Sequence, residues 1–288
     1  MTTTRAIAVG DKGGQTRRQW KLARVSRAGR LLPSIALVIV LLLMWELAVA
    51  IGIIQPFLFP PPSAVATTFV GMFSTGFPPG ATILDHVGAT IPRVLQGYAI
   101  AAVAAIPLGL VVGQFRFLRD ASMPLVTFFR SVAVISLLPI SLALFGPGEV
   151  ARVALIAYAA FWIIFTNTME GARRIPVGLM RAGRSLGAEK VKLYWSVALP
   201  ATLPNIFAGL KVALGISWVV IVAVELIGTE LGVGALISNA QRLYRTDIVI
   251  VGMVIIGVVG YLLVLALDRL ENLLLPWASD ANRLEGSR

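Results

Sequence analysis

Six long apolar segments constrain this chain more than any other feature of its sequence. A helix needs about 20 residues to cross a hydrocarbon layer about 30 Å thick. Only 14% of the 288 residues are charged, whereas about a quarter are charged in an ordinary soluble domain. A soluble globular protein is therefore excluded, and we predict an all-α polytopic membrane protein with six transmembrane helices. The six segments lie near 31–54, 94–113, 121–147, 152–169, 202–228 and 248–267.

Lysine and arginine residues are distributed unevenly between the two sides of these segments. The connections on one side, including both ends of the chain, hold nineteen basic residues, and those on the other side hold three. Cytoplasmic loops of membrane proteins are enriched in Lys and Arg, so we predict that both termini are cytoplasmic. The chain then divides into a basic tail (1–30), a membrane domain (31–275) and a C-terminal tail (276–288). This placement accounts for the net charge of +11 without nucleic acid as a partner.

The second segment carries a small residue at every fourth position. A ridge without bulky side chains lets a neighbouring helix approach closely, which is a main source of helix association in lipid. We therefore predict that this helix is packed inside the bundle; chance placement in an alanine-rich helix is the alternative. The five positions are Gly97, Ala101, Ala105, Gly109 and Gly113.

The sequence motifs of enzymes and metal sites are missing. No G-x-x-x-x-G-K-[ST] pattern occurs, so the chain is not expected to bind ATP through a P-loop, and no cofactor is predicted in it. The absence of cysteine and the single histidine exclude thiolate and H-E-x-x-H metal sites. That histidine, His86, is predicted to lie on the surface of an outer loop. No G-x-S-x-G pattern occurs either, so an enzyme is not predicted.

Residues 176–200, between the fourth and fifth spans, are too polar to cross a membrane and too regular for a linker. Apolar residues recur there at spacings of three and four, with charged residues between them, and Gly187 interrupts the pattern. We predict two short amphipathic helices broken at Gly187. Such a unit can lie on the membrane surface or place its apolar face in a groove of a partner protein.

This segment resembles the cytoplasmic EAA loop of ABC importer permeases, whose pattern is E-A-A-x3-G-x9-I-x-L-P. Arg181 stands where the family has glutamate, so no ion pair through that glutamate is expected here. The resemblance runs from WELAVAIGIIQPFLFPPPSAV to the closing ENLLLPW. Within the ABC importer permeases, the chain resembles the branch that imports nitrate, sulfonates, taurine and bicarbonate. Ser131 to Val134 stand where that branch has prolines. The residues that match the loop are Ala182, Gly183, Gly187, Val197, Leu199 and Pro200.

The resemblance implies a type I importer permease in the bacterial plasma membrane, moving a small anion by alternating access. It also implies a homodimer, two ATPase subunits that dock on the 176–200 loop and bind ATP and Mg²⁺, and an extracytoplasmic solute-binding protein. A small organic or aromatic solute is the alternative substrate. A membrane-embedded enzyme and an assembly scaffold without a pathway are the rival classes.

Charged side chains inside a bilayer are costly, so they usually face a cavity or a partner. The candidate pathway residues are Arg130, Lys211, Trp218 and Glu225, the last three seven apart on one stripe of the fifth span. Alternatively, Lys211 extends its ammonium group to the cytoplasmic interface. Glu225 is then a structural hydrogen-bonding group. Arg130 either attracts an anion or belongs to a structural ion pair. Glu46 is predicted to be a structural partner between helices.

Overall fold

The computed structural model describes residues 27–275, which form two compact units, one ending at Ala64 and the other beginning at Val65. Helix α1 (Arg27–Ala50) begins inside the predicted N-terminal tail. The rest of that tail and the predicted tail 276–288 lie outside the described residues. In the first unit, the Glu46 carboxylate accepts hydrogen bonds from the backbone N–H and the hydroxyl of Ser63, at 3.1 and 2.8 Å. Glu46 thus connects α1 to the first turn of α2 (Pro62–Gly71), the role between helices that the sequence predicted.

The remaining helices follow in chain order through short connections. They are α3 (Ile83–Gln114), α4 (Arg116–Ser131), a 3₁₀ turn (Val134–Leu137), α5 (Leu138–Phe145), α6 (Glu149–Arg173), α7 (Val177–Ser185), α8 (Lys190–Leu193), a π turn (Tyr194–Ala198), α9 (Leu199–Gly228), α10 (Val233–Arg242) and α11 (Thr246–Leu274). Helix α3 starts eleven residues before the predicted second span because Thr82 and Asp85 form a reciprocal capping box there. The fold is all-α, as predicted.

Four described helical segments are long and apolar enough to cross a membrane: α3, α6, the π turn with α9, and α11. A fifth span would consist of α4 and the 3₁₀–α5 segment, which meet at 84°. The predicted count of six stays a prediction, since the apolar stretch found in α1 covers only Ile35–Ala50.

The third predicted span, 121–147, is not one continuous helix. Val132 and Ala133 adopt extended backbone conformations with ψ of 124° and 114°, so the helical hydrogen bonds stop there. The break falls between Pro124 and Pro139 rather than at either proline. Pro139 lies in the first turn of α5, where its missing N–H leaves no helical hydrogen bond unmade.

The small-residue ridge of α3 packs against α6, as predicted. All five ridge residues are buried. A Cβ added to Gly97 would lie 2.7 Å from Cβ of Ile156, and one on Gly113 would lie 2.5 Å from the Met169 carbonyl oxygen. The two backbones therefore approach too closely for larger side chains. The core then continues from α6 to α9, through Leu155 and Ile156 on one side and Leu214 and Ile221 on the other.

Candidate functional site

In the 176–200 segment the helical pattern is broken at Gly187, as predicted, but the second predicted short helix, α8 with the π turn, continues directly into α9. Helix α7 ends with the Gly187 N–H bonded to the Arg184 carbonyl at 3.0 Å and the Ala188 N–H bonded to the Gly183 carbonyl at 3.1 Å. This is the hydrogen-bond pattern of a Schellman motif, which requires a left-handed residue just after the helix. Gly187 is this left-handed residue, with a φ of +78°, a conformation that is strained for residues other than glycine.

The short helices pack on one another through the other predicted residues of this segment. A Cβ on Gly183 would lie 2.7 Å from Cδ1 of Leu193 and 3.1 Å from Cγ2 of Val197, so α7 contacts both α8 and the π turn. Leu199 and Pro200 follow the π turn at the start of α9. The helical path is unbroken from Lys190 to the end of α9. Ala182 is exposed on α7.

The outward face of α7 combines exposed apolar residues with arginines. Leu186, beside the break, is 86% exposed, and Val177 and Leu179 are also exposed. Arg181 and Arg184 are exposed on the same short helix, and no ion pair joins either to an acidic residue within residues 27–275. Exposed apolar side chains bounded by charge are typical of a protein contact surface.

Glu225, near the C-terminal end of α9, lies in a buried site. It is 1% exposed, and its carboxylate accepts hydrogen bonds from the Thr90 hydroxyl at 2.9 Å and the Gly234 N–H at 3.0 Å. Gly232, with φ of +144°, lies so close that a Cβ there would overlap the carboxylate. The glycines of Gly232-Val233-Gly234 therefore let the α9–α10 connection fold around Glu225.

Arg93 completes this site and extends it to α6. Its guanidinium donates to Glu225 and to the Leu231 carbonyl, each at 2.7 Å, and it also forms a bidentate pair with Glu149. Arg152 joins Glu149 at 2.9 Å and donates to the Gly228 carbonyl. This network, which we call the Arg93 cluster (Thr90, Arg93, Glu149, Arg152 and Glu225), ties α3, α6 and α9 together at one end of the bundle.

His86 is buried, and its predicted surface position is wrong. The residue is 0% exposed, with Nε2 2.9 Å from the Phe77 carbonyl and Nδ1 within 3.2 Å of the Gly232 backbone. The prediction failed because the segment around His86 was assigned to a loop, whereas it is the first turn of α3. Its burial links the loop before α3 to the α9–α10 connection.

Arg93, Thr90 and Glu149 were not among the predicted site residues, although a pattern pointed to the first two. His86, Thr90, Arg93 and Gly97 follow one another at spacings of three and four, so they continue the small-residue face of α3 toward its N-terminus. Extending the ridge past the edge of the apolar segment would have placed them on the buried face. Glu149 has no comparable pattern, because its pairing depends on α6 lying against α3.

Each residue of the predicted stripe on α9 contacts a neighbouring helix. Lys211 forms ion pairs with Asp268 and Glu271 near the end of α11. Trp218 is 7% exposed, and its indole N–H donates to the Ile256 carbonyl of α11 at 3.0 Å. Glu225 faces α3 and α10, where it accepts hydrogen bonds from Thr90 and Gly234. The pathway role of the three residues stays a prediction.

Arg130, the fourth candidate, differs from the other three. It lies in the last turn of α4, is exposed, and lines two cavities, one of about 310 Å³ shared with Thr127, Asn167 and Glu170, the other of about 220 Å³. No carboxylate within the described residues lies within ion-pair distance of it.

Comparison with known proteins places the chain among transport proteins. Residues 105–280 match the family described as binding-protein-dependent transport system inner membrane component. The taurine transport system permease protein TauC of Escherichia coli is 30% identical, over 94% of this chain and 98% of its own length. The putative aliphatic sulfonates transport permease protein SsuC of Bacillus subtilis is 30% identical, over 95% of this chain and 94% of its own length. The bicarbonate transport system permease protein CmpB of Synechocystis is 31% identical, over 87% of this chain and 91% of its own length.

A solved structure has the same fold. The MetNI methionine ABC transporter, in an inward-facing conformation, matches with a TM-score of 0.59 at 22% identity, over 65% of this chain and 94% of that one.

Proposed function

Because this chain belongs to the binding-protein-dependent inner-membrane components of ABC importers, which are permease subunits and not enzymes, we propose that it forms the path of a small anionic solute by alternating access. The matched family segment contains α7, α8 and α9. Relatives along nearly the whole chain carry the names of taurine, sulfonate and bicarbonate systems, which supports an oxyanion as the solute.

The observation that carries this proposal is the exposed face of α7 beside the Schellman turn. Its apolar residues Leu179 and Leu186 lack cover within the described chain, while its inner face rests on Leu193 and Val197. We propose that an ATPase subunit covers this face and binds the ATP and Mg²⁺ in place of this chain. Closure of two such subunits would then move α7 and α8, and through them α9.

Two copies of the permease, two ATPase subunits and one solute-binding protein form the proposed assembly. Both termini and the α7 face would be cytoplasmic, which agrees with the distribution of basic residues. The Arg93 cluster then lies at the outer end of the bundle, where it holds α3, α6 and α9 in register beneath the solute-binding protein.

The coupling role is tested by replacing Gly187 with valine. A β-branched residue cannot adopt φ of +78° without strain, so the Schellman turn should be lost. We expect Gly187→Val to abolish solute-stimulated ATP hydrolysis and uptake in proteoliposomes containing the whole complex, with normal membrane insertion.

Gly178→Val is the matched control. Gly178 lies in the first turn of α7, has no positive φ, and a Cβ there meets nothing within 4 Å. It should retain most of the transport activity. Equal uptake by Gly187→Val and Gly178→Val would show that the segment does not couple the subunits.

A further inference from the structure

A cavity of about 590 Å³ lies between the end of α3 and the segment that joins α7 to α9. Val111 and Phe115 line it from the side of α3, and Tyr194 and Trp195 line it from the π turn. Phe115 and Trp195 are exposed, so the apolar wall continues onto the surface of the chain. Pockets for organic ligands usually have a volume of about 300–1,000 Å³. This cavity therefore has room for part of an amphiphilic molecule.

The cavity carries positive charge. Arg184 is the one charged residue among those that line it, and no carboxylate within residues 27–275 lies within 4.0 Å of its guanidinium. The residues that follow Phe115 are basic as well. Arg116 and Arg119 share Asp120 at 3.5 and 3.4 Å, so this single carboxylate compensates one of their two charges. The cavity therefore favours an anionic group.

Arg184 lies on a different side of α7 from Leu179 and Leu186, the residues proposed above to contact an ATPase subunit. An α-helix turns about 100° per residue, so Arg184 lies about 140° around the helix from Leu179 and about 160° from Leu186. A ligand of the cavity and a subunit that covers the two leucines would thus contact different sides of this helix.

Hydropathy places the cavity at the edge of the hydrocarbon layer. The uncharged apolar segment of α3 ends at Gly113, the arginines of α4 begin at Arg116, and Phe115 lines the cavity between them. Tyrosine and tryptophan are enriched at membrane–water interfaces, and Tyr194 and Trp195 lie at this level. The basic residues predict that this side, the side of α7, is cytoplasmic. The cytoplasmic leaflet is the one that carries anionic lipids.

We propose that this cavity binds an anionic phospholipid of the cytoplasmic leaflet. The lipid phosphate pairs with Arg184, whose planar guanidinium matches phosphate oxygens, and part of an acyl chain lies against Val111, Phe115 and Trp195. Basic pockets between transmembrane helices on the cytoplasmic side bind such headgroups. This site goes beyond the importer function, because its ligand is a component of the membrane and not the solute.

The cavity wall also distinguishes between phospholipid headgroups. The ammonium of phosphatidylethanolamine or phosphatidylcholine would lie near Arg184 with no acidic residue at the wall to pair with it. The headgroup of phosphatidylglycerol ends in uncharged hydroxyl groups, and the Gln114 amide at the wall can hydrogen-bond to them. We therefore expect phosphatidylglycerol to be preferred.

The experiment uses lipids brominated on an acyl chain, which quench tryptophan fluorescence on contact. The purified full-length chain is placed in nanodiscs of phosphatidylcholine that contain increasing fractions of brominated phosphatidylglycerol or brominated phosphatidylcholine. Subtracting the spectrum of Trp195→Phe gives the signal of Trp195. The relative affinity should favour phosphatidylglycerol roughly fivefold, which corresponds to about 1 kcal/mol for one arginine beside an anionic lipid.

Arginine variants test the contact with the phosphate. Arg184→Gln should abolish the preference, and Arg184→Lys should retain part of it, because lysine pairs with phosphate as a point charge. The matched control is Arg242→Gln, which removes an exposed arginine from the end of α10 and should keep the full preference. Trp45 of α1, whose signal is obtained from Trp45→Phe, should be quenched equally by the two brominated lipids.

Four results would overturn the lipid site. The first is equal quenching of Trp195 by the two brominated lipids, and the second is a preference that survives Arg184→Gln. The third is loss of folded Arg184→Gln and Arg184→Lys protein alike, judged by gel filtration, which would make Arg184 a structural residue. The fourth is removal of the preference by millimolar inorganic phosphate, which would assign the cavity to a free anion.

A repeat of the measurement on the whole complex in nanodiscs separates the lipid from the ATPase as occupant. The preference should persist when the ATPase subunits are bound, because Arg184 and the two leucines lie on different sides of α7. A preference seen with the permease chain alone and lost in the complex would assign the cavity to the ATPase and overturn the lipid site. Uptake and ATP hydrolysis by Gly187→Val test the importer function separately, since neither lipid measurement depends on transport.

Discussion

Glu225 lies in a highly apolar helix, and three donors hold its carboxylate in place. Thr90, Arg93 and the Gly234 N–H supply them from α3 and from the start of α10. An ionised carboxylate is tolerated in such a place only when it is paired and hydrogen-bonded. The residue therefore specifies how three elements meet, and its role depends on its partners as much as on its own charge.

Replacing Glu225 with alanine should strongly destabilise the chain. The change leaves the Gly234 N–H without its acceptor and removes one of the two carboxylates that Arg93 contacts. The Thr90 hydroxyl keeps only the His86 carbonyl as an acceptor. Breaking a buried pair from one side costs about 3–5 kcal/mol, so we expect a clearly lower melting temperature of the purified chain in detergent.

Glu170→Ala provides the control for this change. Glu170 is paired with Arg173 and Arg174, whose side chains are largely exposed, and exposed pairs contribute about 0–1 kcal/mol. If the two variants melted at the same temperature, the Arg93 cluster would contribute no more than a surface ion pair.

At the scale of elements, the contact between α3 and α6 depends on the absence of side-chain atoms. A Cβ added to Gly109 would lie 2.8 Å from Cβ of Thr168, and a Cβ added to Gly113 would lie 2.7 Å from Cβ of Ala172. Because lipid provides no hydrophobic drive for helix association, such close van der Waals contact has to hold the pair together.

Gly113→Ala should separate these helices. The new Cβ would meet the Met169 carbonyl oxygen at 2.5 Å, a backbone atom that cannot move aside without shifting α6. Overpacking of this kind costs about 1–3 kcal/mol, so the melting temperature should fall.

Gly88→Ala lies in the same helix with nothing within 4 Å of its new Cβ. In this variant the free energy of unfolding should stay the same or rise by up to about 1 kcal/mol, since alanine is the better helix former. A fall of equal size in both variants would mean that backbone flexibility, and not close packing, explains the ridge.

At the scale of the whole molecule, orientation in the membrane is decided by charge. The basic residues lie mainly on the side of the α7–α8 segment, while the loop before α3 lacks them. The side facing the cytoplasm is therefore predicted to be the one that carries α7.

Single cysteines test this orientation cleanly, because the chain has no cysteine of its own. Ser74, before α3, and Ser185, at the end of α7, are both exposed. We expect Ser74→Cys to react with a membrane-impermeant maleimide in intact cells and Ser185→Cys to react only after the membrane is opened. The reverse pattern would invert the topology and place the α7 face where no ATPase could reach it.

The sequence by itself determined the all-α membrane class, the buried ridge of α3 and the break at Gly187. Each of these follows from interactions between residues close in sequence. Hydropathy over about 20 residues, a repeat of four along one helix, and a glycine after an amphipathic turn all act locally. The resemblance to importer permeases likewise rests on local stretches of sequence, from the 176–200 loop to the closing ENLLLPW.

Only the tertiary structure decided where the charged and polar residues of the membrane domain find their partners. Glu225 meets Arg93 across 132 positions of sequence, and Lys211 meets Asp268 and Glu271 from another helix. The seven-residue spacing of Lys211, Trp218 and Glu225 correctly indicates one side of a helix, but it does not say which neighbour covers each position. The 84° bend after Ser131 likewise follows from extended residues whose packing no local pattern revealed. A buried charge is stabilised by whichever donors the fold brings within about 3 Å, and that choice is made by how the helices pack.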